Sequence, residues 1–269
     1  MKKRILAIVL SSVLALGVLT GCGGAQSDKV IKVAASATPH AEILEQAKPL
    51  LEAKGYTLEV QVFDDYVQPN NVVESGEFDA NYFQHISYLN SFNAEQGTHL
   101  VNAAGIHYEP FGIYPGTKSD LSEIADGDVI AIPNDTTNEA RALLLLQENG
   151  IITLKEGAGI EATVNDIAEY NVNIEIKELE AAQVSRVIPE VAYVVLNGNY
   201  ALQAGLSAGK DAIAVESATS EAIQVYVNII AVKEGNENNE KIQALVDVLK
   251  SQEIVDYINA TYNGAVVPF

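Results

Sequence analysis

From Val30 onward, apolar positions recur in two rhythms. Val30 to Ala35 reads as a strand, and Leu58, Val60 and Val62 alternate with Thr57, Glu59 and Gln61 as in a half-buried one. Between them, Ile43, Leu44, Ala47, Leu50 and Leu51 share one helical face. Thr38-Pro39 reads as a cap followed by proline at the first helical position; Gly55 stops the helix and Pro49 is expected to kink it. Pro69 to Ser75 predicts a short helix, and Phe78-Asp79-Ala80 leads into a third strand. Strand, helix, strand, helix, strand is a βαβ series, so a mainly parallel sheet is expected.

The pattern then repeats in kind, though not in sequence. Val129 to Ile132 predicts a strand, Asn134 to Gly150 a helix centred on Leu143 to Leu146, and Val172, Ile174 and Ile176 a further strand. Tyr193 to Leu196 and Ala212 to Val215 are short strand candidates, Tyr226 to Val232 is apolar apart from Asn228, and Asn239 to Tyr262 reads as helix. Two βαβ series without a long linker predict an α/β chain of two lobes with a cleft between them. The expected division is residues 30–112 with 229–269 against 113–228. Glu109 to Gly116 and Tyr226 to Val232 are the candidate crossings.

The first 21 residues carry a different signal. Lys2, Lys3 and Arg4 precede an apolar run from Ile5 to Leu19, shorter than the ~20 residues a spanning helix needs, which reads as a secretory signal. The run ends Leu19-Thr20-Gly21-Cys22, and Cys22 is the only cysteine. This placement resembles a bacterial lipoprotein box, which implies lipid on Cys22 and cleavage before it. Residues 22–29 then form a short tether, reaching on the order of 15 Å as a Gly-rich coil. The expected location is the extracytoplasmic face of a membrane, held by lipid and not by a span. The formal charge is −20, and −23 once Lys2, Lys3 and Arg4 are removed. Such a balance disfavours nucleic acid and anionic lipid headgroups as partners.

Candidate chemistry centres on Phe78 to Leu89, which places Tyr82, Phe83, His85 and Tyr88 within seven residues of a chain lacking tryptophan. Aromatic faces with polar tips suit a small, partly apolar ligand, and a buried core face is the other reading. Asp79, Asn81, Gln84 and His85 interrupt any purely apolar face, and Gly76 points to a strand ending in a turn, where open α/β sheets place ligands. Arg141, one of two arginines left after signal removal, lies early in an apolar helix and must be paired there. An internal salt bridge and bidentate capture of a ligand carboxylate both satisfy that demand. Asn197 and Asn228 end or interrupt apolar strands and need hydrogen bonds, to a turn or to a ligand.

His40, His85, His99 and His107 raise a transition-metal possibility, but none has ligand spacing such as H-x-x-x-H, and no metal or cofactor is expected. The chain carries no G-x-S-x-G, P-loop or H-E-x-x-H pattern, so it is not expected to be an enzyme.

Five motifs occur in order behind the lipobox: Asp65-Tyr-Val-Gln-Pro-Asn, Asp79-Ala-Asn-Tyr-Phe-Gln-His, the run Pro133-Asn-Asp-Thr-Thr-Asn-Glu-Ala-Arg-Ala-Leu-Leu-Leu-Leu, Asn197-Gly-Asn-Tyr-Ala and Tyr226-Val-Asn. Together they resemble the methionine-binding lipoproteins that feed ABC-type importers. That resemblance implies a periplasmic-binding-protein-like fold whose two lobes close over one amino acid. It implies that Tyr66, Phe83, His85 and Tyr88 surround a thioether, Arg141 binds an α-carboxylate, and Asn197 and Asn228 complete the polar contacts. It also implies a monomeric body, with L-methionine or a close relative as ligand and a permease with a cytoplasmic ATPase as partner. A metal-binding lipoprotein and a surface adhesion lipoprotein are the alternatives.

Overall fold

A computed structural model describes residues 29–217 and 224–269. The signal segment, Cys22 and the tether up to residue 28 lie outside the described residues. Among those described, no helix is long and apolar enough to cross a membrane.

The first sheet has six strands in the order β13-β4-β12-β3-β1-β2: β1 Val30–Ala35, β2 Thr57–Val62, β3 Ala80–His85, β4 Leu100–Tyr108, β12 Val227–Lys233 and β13 Val267–Pro268. β1 runs parallel to β2 and to β3, while β12, β4 and β13 pair antiparallel. The sheet is therefore mixed and not mainly parallel, because the chain leaves it through β4 and re-enters through β12 in the opposite sense. The helix Glu42–Ala53 buries Ile43, Leu44, Ala47 and Leu51 on this sheet, where they meet Ile242, Leu245 and Leu249 of the helix Glu240–Leu249. Each such side chain contributes about 1.5–3 kcal/mol by leaving water.

The regular part of that first helix begins later than Thr38-Pro39 suggests. Ala37 to Ala41 forms an irregular helical turn in which Thr38 is extended. The helix then runs unbroken through Pro49. Pro49 is exposed, so water can satisfy the carbonyl its missing N–H leaves free.

The second sheet has the order β11-β5-β10-β6-β9, formed by β5 Gly112–Pro115, β6 Val129–Pro133, β9 Glu175–Leu179, β10 Tyr193–Leu196 and β11 Ala214–Val215. Its core joins Ile130, Ile132 and Val195 to Leu143 and Leu146 of the helix Thr136–Glu148. β7 Ile152–Leu154 and β8 Ile167–Tyr170 make a small antiparallel pair beside it.

The alternation at Val172, Ile174 and Ile176 does not make one strand. Asn171 donates to the Gly150 carbonyl at 3.0 Å and the Asn173 N–H to Asp126 at 3.0 Å, so these asparagines turn the chain before β9 begins at Glu175. The C-terminal helical stretch is likewise two helices, Glu240–Leu249 and Gln252–Tyr262, separated at Lys250 and Ser251. The first sheet thus takes strands from residues 30–108 and 227–268, and the second from 112–215.

Candidate functional site

The aromatic stretch is a strand that runs directly into a helix. Tyr82, Phe83 and His85 belong to β3, and Tyr88 lies in the first turn of the helix Ile86–Gln96. His85 caps that helix: its Nδ1 accepts from the Tyr88 N–H at 3.0 Å. Strict alternation would send Phe83 and Gln84 to opposite faces of the sheet. The β3–β12 pairing instead carries one extra residue on β3 between the His85–Asn228 and Tyr82–Ile230 partners. Such a bulge re-aims side chains, and Phe83, Gln84 and His85 all reach one cavity.

The cavity has a volume of about 20 Å³ and is lined from both halves of the fold. From the strands, loops and helix around the first sheet come Tyr66, Phe83, His85, Tyr88 and Asn228; from the helices beside the second come Asn138, Arg141, Asn199 and the cap residue Asn197. All seven binding residues expected from the sequence, Tyr66, Phe83, His85, Tyr88, Arg141, Asn197 and Asn228, therefore line one space. Tyr66, Phe83 and Tyr88 form its apolar wall, with ring centroids 5.6 Å (Tyr66–Phe83), 5.6 Å (Tyr66–Tyr88) and 6.0 Å (Phe83–Tyr88) apart. The Tyr66 hydroxyl donates to Asn199 Oδ1 at 2.6 Å, which ties this wall to the helix Gly198–Gln203 beside the second sheet.

The polar end is an ordered chain of amides. Asp135 caps the helix Thr136–Glu148 and accepts from Asn138 Nδ2 at 2.8 Å, which turns Asn138 Oδ1 toward the cavity side. That oxygen accepts from Asn197 Nδ2 at 2.8 Å and sits 3.1 Å from His85 Nε2. His85 Nδ1 already accepts the Tyr88 N–H, so its proton is on Nε2 and it donates. Asn197 occupies the N-terminal cap position of the helix Gly198–Gln203, yet its side chain makes no cap bond. Its Oδ1 and the Nδ2 of Asn199 are buried without partners among the described residues. One unfilled acceptor and one unfilled donor thus remain in the same wall.

Arg141 is engaged on one edge. Its Nε donates to Glu216 Oε2 at 2.8 Å, its second terminal nitrogen pairs with Glu216 Oε1, and that nitrogen also donates to the Glu109 carbonyl at 3.0 Å. The guanidinium carbon stands 4.1 Å from the Tyr226 ring centroid and 4.6 Å from that of Phe111. The internal salt bridge considered for Arg141 is present, while the guanidinium still lines the cavity. Burial opposes its charge, but the Glu216 carboxylate more than compensates and holds its pKa above the usual guanidinium range.

Sequence reasoning missed Gln84, Glu109, Asn138, Gly198 and Asn199. Asn138 and Asn199 lie inside motifs already singled out, and Glu109 begins a proposed crossing. Its carboxylate, pushed up by burial, sits 2.7 Å from His107 Nε2 and 3.4 Å from His40 Nε2. His40, His107 and Glu109 offer metal-ligating atoms all within 4.8 Å of one another, a grouping no local spacing reveals. These atoms are already joined by hydrogen bonds, with Tyr82 on His107 Nδ1 and Asn228 on His40. Burial pushes His40 down to about 4, and His85 and His107 to about 3, so all three are neutral. His85 and exposed His99 belong to other surroundings.

Two sheets flanking a cavity with one apolar and one polar end define a periplasmic substrate-binding fold. Known structures agree. A lipoprotein of Ruminococcus gnavus ATCC 29149 matches with a TM-score of 0.88 and 75% identity, covering 90% of this chain and 99% of that one. A nutrient-binding protein from Burkholderia cenocepacia, solved bound to methionine, matches with a TM-score of 0.84 and 42% identity over 88% and 99% of the two chains. In sequence, the methionine-binding lipoprotein MetQ of Bacillus subtilis (strain 168) is 43% identical over 100% of this chain and 99% of its own. Residues 31–269 match the NlpA lipoprotein family, and the chain belongs to that family.

Proposed function

We propose that this protein captures L-methionine, or a close analogue, and delivers it to an ABC importer with a cytoplasmic ATPase. The observation that carries the reading is the cavity's two-ended chemistry: three aromatic rings at one end, one unfilled donor and one unfilled acceptor at the other. A thioether is apolar and polarisable and favours ring neighbours. A zwitterionic head needs donors for its carboxylate and acceptors for its ammonium. Arg141 and Asn199 Nδ2 supply the donors, Asn197 Oδ1 and the Glu109 carboxylate the acceptors. With Glu216 on its Nε edge, Arg141 would meet the ligand through its other terminal nitrogen.

In this reading the lobes, residues 30–112 with 229–269 and residues 113–228, close over the ligand as a monomer. Closure is favoured by the ligand's greater affinity for the closed state. Lipid on Cys22 tethers the body to the extracytoplasmic face of the membrane.

The direct test is mass spectrometry of the small molecule released from the purified protein by denaturation, followed by a thermal-shift panel that includes L- and D-methionine and leucine. At a hundredfold excess over its dissociation constant, L-methionine stabilises the fold by about 2.7 kcal/mol. Equal shifts for leucine and L-methionine would remove the thioether argument. Cys22→Ser moves the protein out of the membrane fraction with ligand binding intact; retention in that fraction would overturn the anchor.

A further inference from the structure

His40 comes from the irregular turn before the first helix, is fully buried, and sits 188 residues from its partner Asn228. Its Nε2 lies 3.0 Å from Asn228 Oδ1 and 3.4 Å from Glu109 Oε1. Its Nδ1 is buried without a partner among the described residues. A proton on Nδ1 would be a buried N–H with no acceptor, whereas a bare nitrogen there is far cheaper. The proton therefore belongs on Nε2, where two oxygens face it. Burial keeps the ring neutral, so Nδ1 carries no second proton. The surroundings agree: His107 and Tyr82 pack on His40 through ring contacts at 5.0 and 4.7 Å and offer Nδ1 no acceptor.

That tautomer dictates the orientation of Asn228. Were the amide turned over, its NH₂ would face the imidazole N–H, donor against donor. With Oδ1 held by His40, the amide nitrogen is the group left for the cavity that Asn228 lines.

We propose that His40 is a positioning residue that fixes Asn228 with its amide NH₂ toward the ligand, making Asn228 a donor to the ligand carboxylate and not an acceptor for its ammonium. The assignment rests on the methionine-binding reading. His40 touches no ligand in this scheme; it acts only through Asn228.

The experiment is a mutant cycle read by calorimetry with L-methionine on the full mature protein. His40→Phe, which keeps the bulk of the ring and loses the donor, lowers affinity at least tenfold. Asn228→Ala does the same. Because His40 acts through Asn228, the double variant binds within about twofold of Asn228→Ala alone. Losses that multiply in the double variant would overturn the proposal.

His40→Gln retains an N–H donor and recovers most of the affinity lost in His40→Phe; a variant as weak as His40→Phe would count against the donor. Asn228→Asp gives an answer that needs no change at His40. An oxygen in place of the NH₂ faces the ligand carboxylate and weakens methionine binding at least tenfold. Unchanged or tighter binding would mean that an oxygen was wanted there, and would overturn the assigned orientation. A wild-type protein that shows no methionine binding refutes the ligand reading itself, an outcome distinct from a failed cycle.

Discussion

Replacing Arg141 by alanine removes two interactions at once, and their magnitudes can be separated. Glu216 is largely buried, with its side chain 11% exposed, and Arg141 is its charge partner. Removing one member of such a pair strands the other and costs about 3–5 kcal/mol. For a body of this size each kcal/mol moves the melting temperature by roughly 2–4 °C, so the unliganded variant melts about 6–20 °C lower. The ligand loses a charged partner for its carboxylate as well, about 2–5 kcal/mol, or roughly thirty-fold to several-thousand-fold in affinity. The double variant Arg141→Ala/Glu216→Gln distinguishes the two effects. With no orphaned carboxylate, it regains most of the unliganded stability but none of the affinity. Thermal unfolding without ligand and titration calorimetry with methionine and methioninamide measure both. If the double variant recovers methionine affinity along with stability, Arg141 serves the fold alone and the carboxylate site lies elsewhere. If Arg141→Ala melts like wild type, the argument from the stranded Glu216 fails.

Acid should destabilise the fold through its buried neutral histidines. His40, His85 and His107 have folded values below their unfolded one, so their stabilisation is complete above about pH 6.5 and is lost as pH falls toward about 4 and 3. By pH 5 each costs about 2 kcal/mol. Glu109 and Asp135, pushed up by burial, oppose part of this loss. Urea midpoints at pH 7 and pH 5 check the sum, and equal midpoints would refute neutral burial of the three rings. Gly198→Ala would place a methyl group 2.7 Å from both Cβ and Oε2 of Glu109. Overpacking of this kind costs about 1–3 kcal/mol, and displacement of Glu109 should weaken methionine binding roughly tenfold, measurable by calorimetry; full affinity would free Glu109 from any ligand role.

Several strands of both sheets and the expected cavity-lining residues were legible where the chemistry is local. Apolar runs marked β1, β6, β10 and β12, and the aromatic cluster marked the cavity wall. β4 was not legible: its run Leu100 to Tyr108 mixes Asn102, Gly105 and His107 with small residues, and only its pairing with β12 makes it a central strand. The helix Ile86–Gln96 was hidden for a related reason, since Asn90, Ser91 and Asn93 dilute its buried positions Tyr88, Leu89 and Phe92. Partnerships such as His40 with Asn228, or Arg141 with Glu216 75 residues away, leave no local spacing to read. The sequence could state that Arg141 needs a partner, but folding alone selects Glu216 from so many acidic residues.

The two chain passages between the sheets leave the first sheet side by side: the last residue of β4, Tyr108, pairs with the first of β12, Val227. At the second sheet the same holds, because Gly112 of β5 pairs with Val215 of β11, so the chain leaves and re-enters each sheet through neighbouring, hydrogen-bonded ends. Under the proposed two-lobe closure, paired ends at both sheets would favour a single swing about a line across them over shear or twist. A solute entering such a cleft would have little orientational search left to complete. The entropic cost of bringing two walls into register was largely met when the chain folded, which leaves more of the contact energy to appear as affinity.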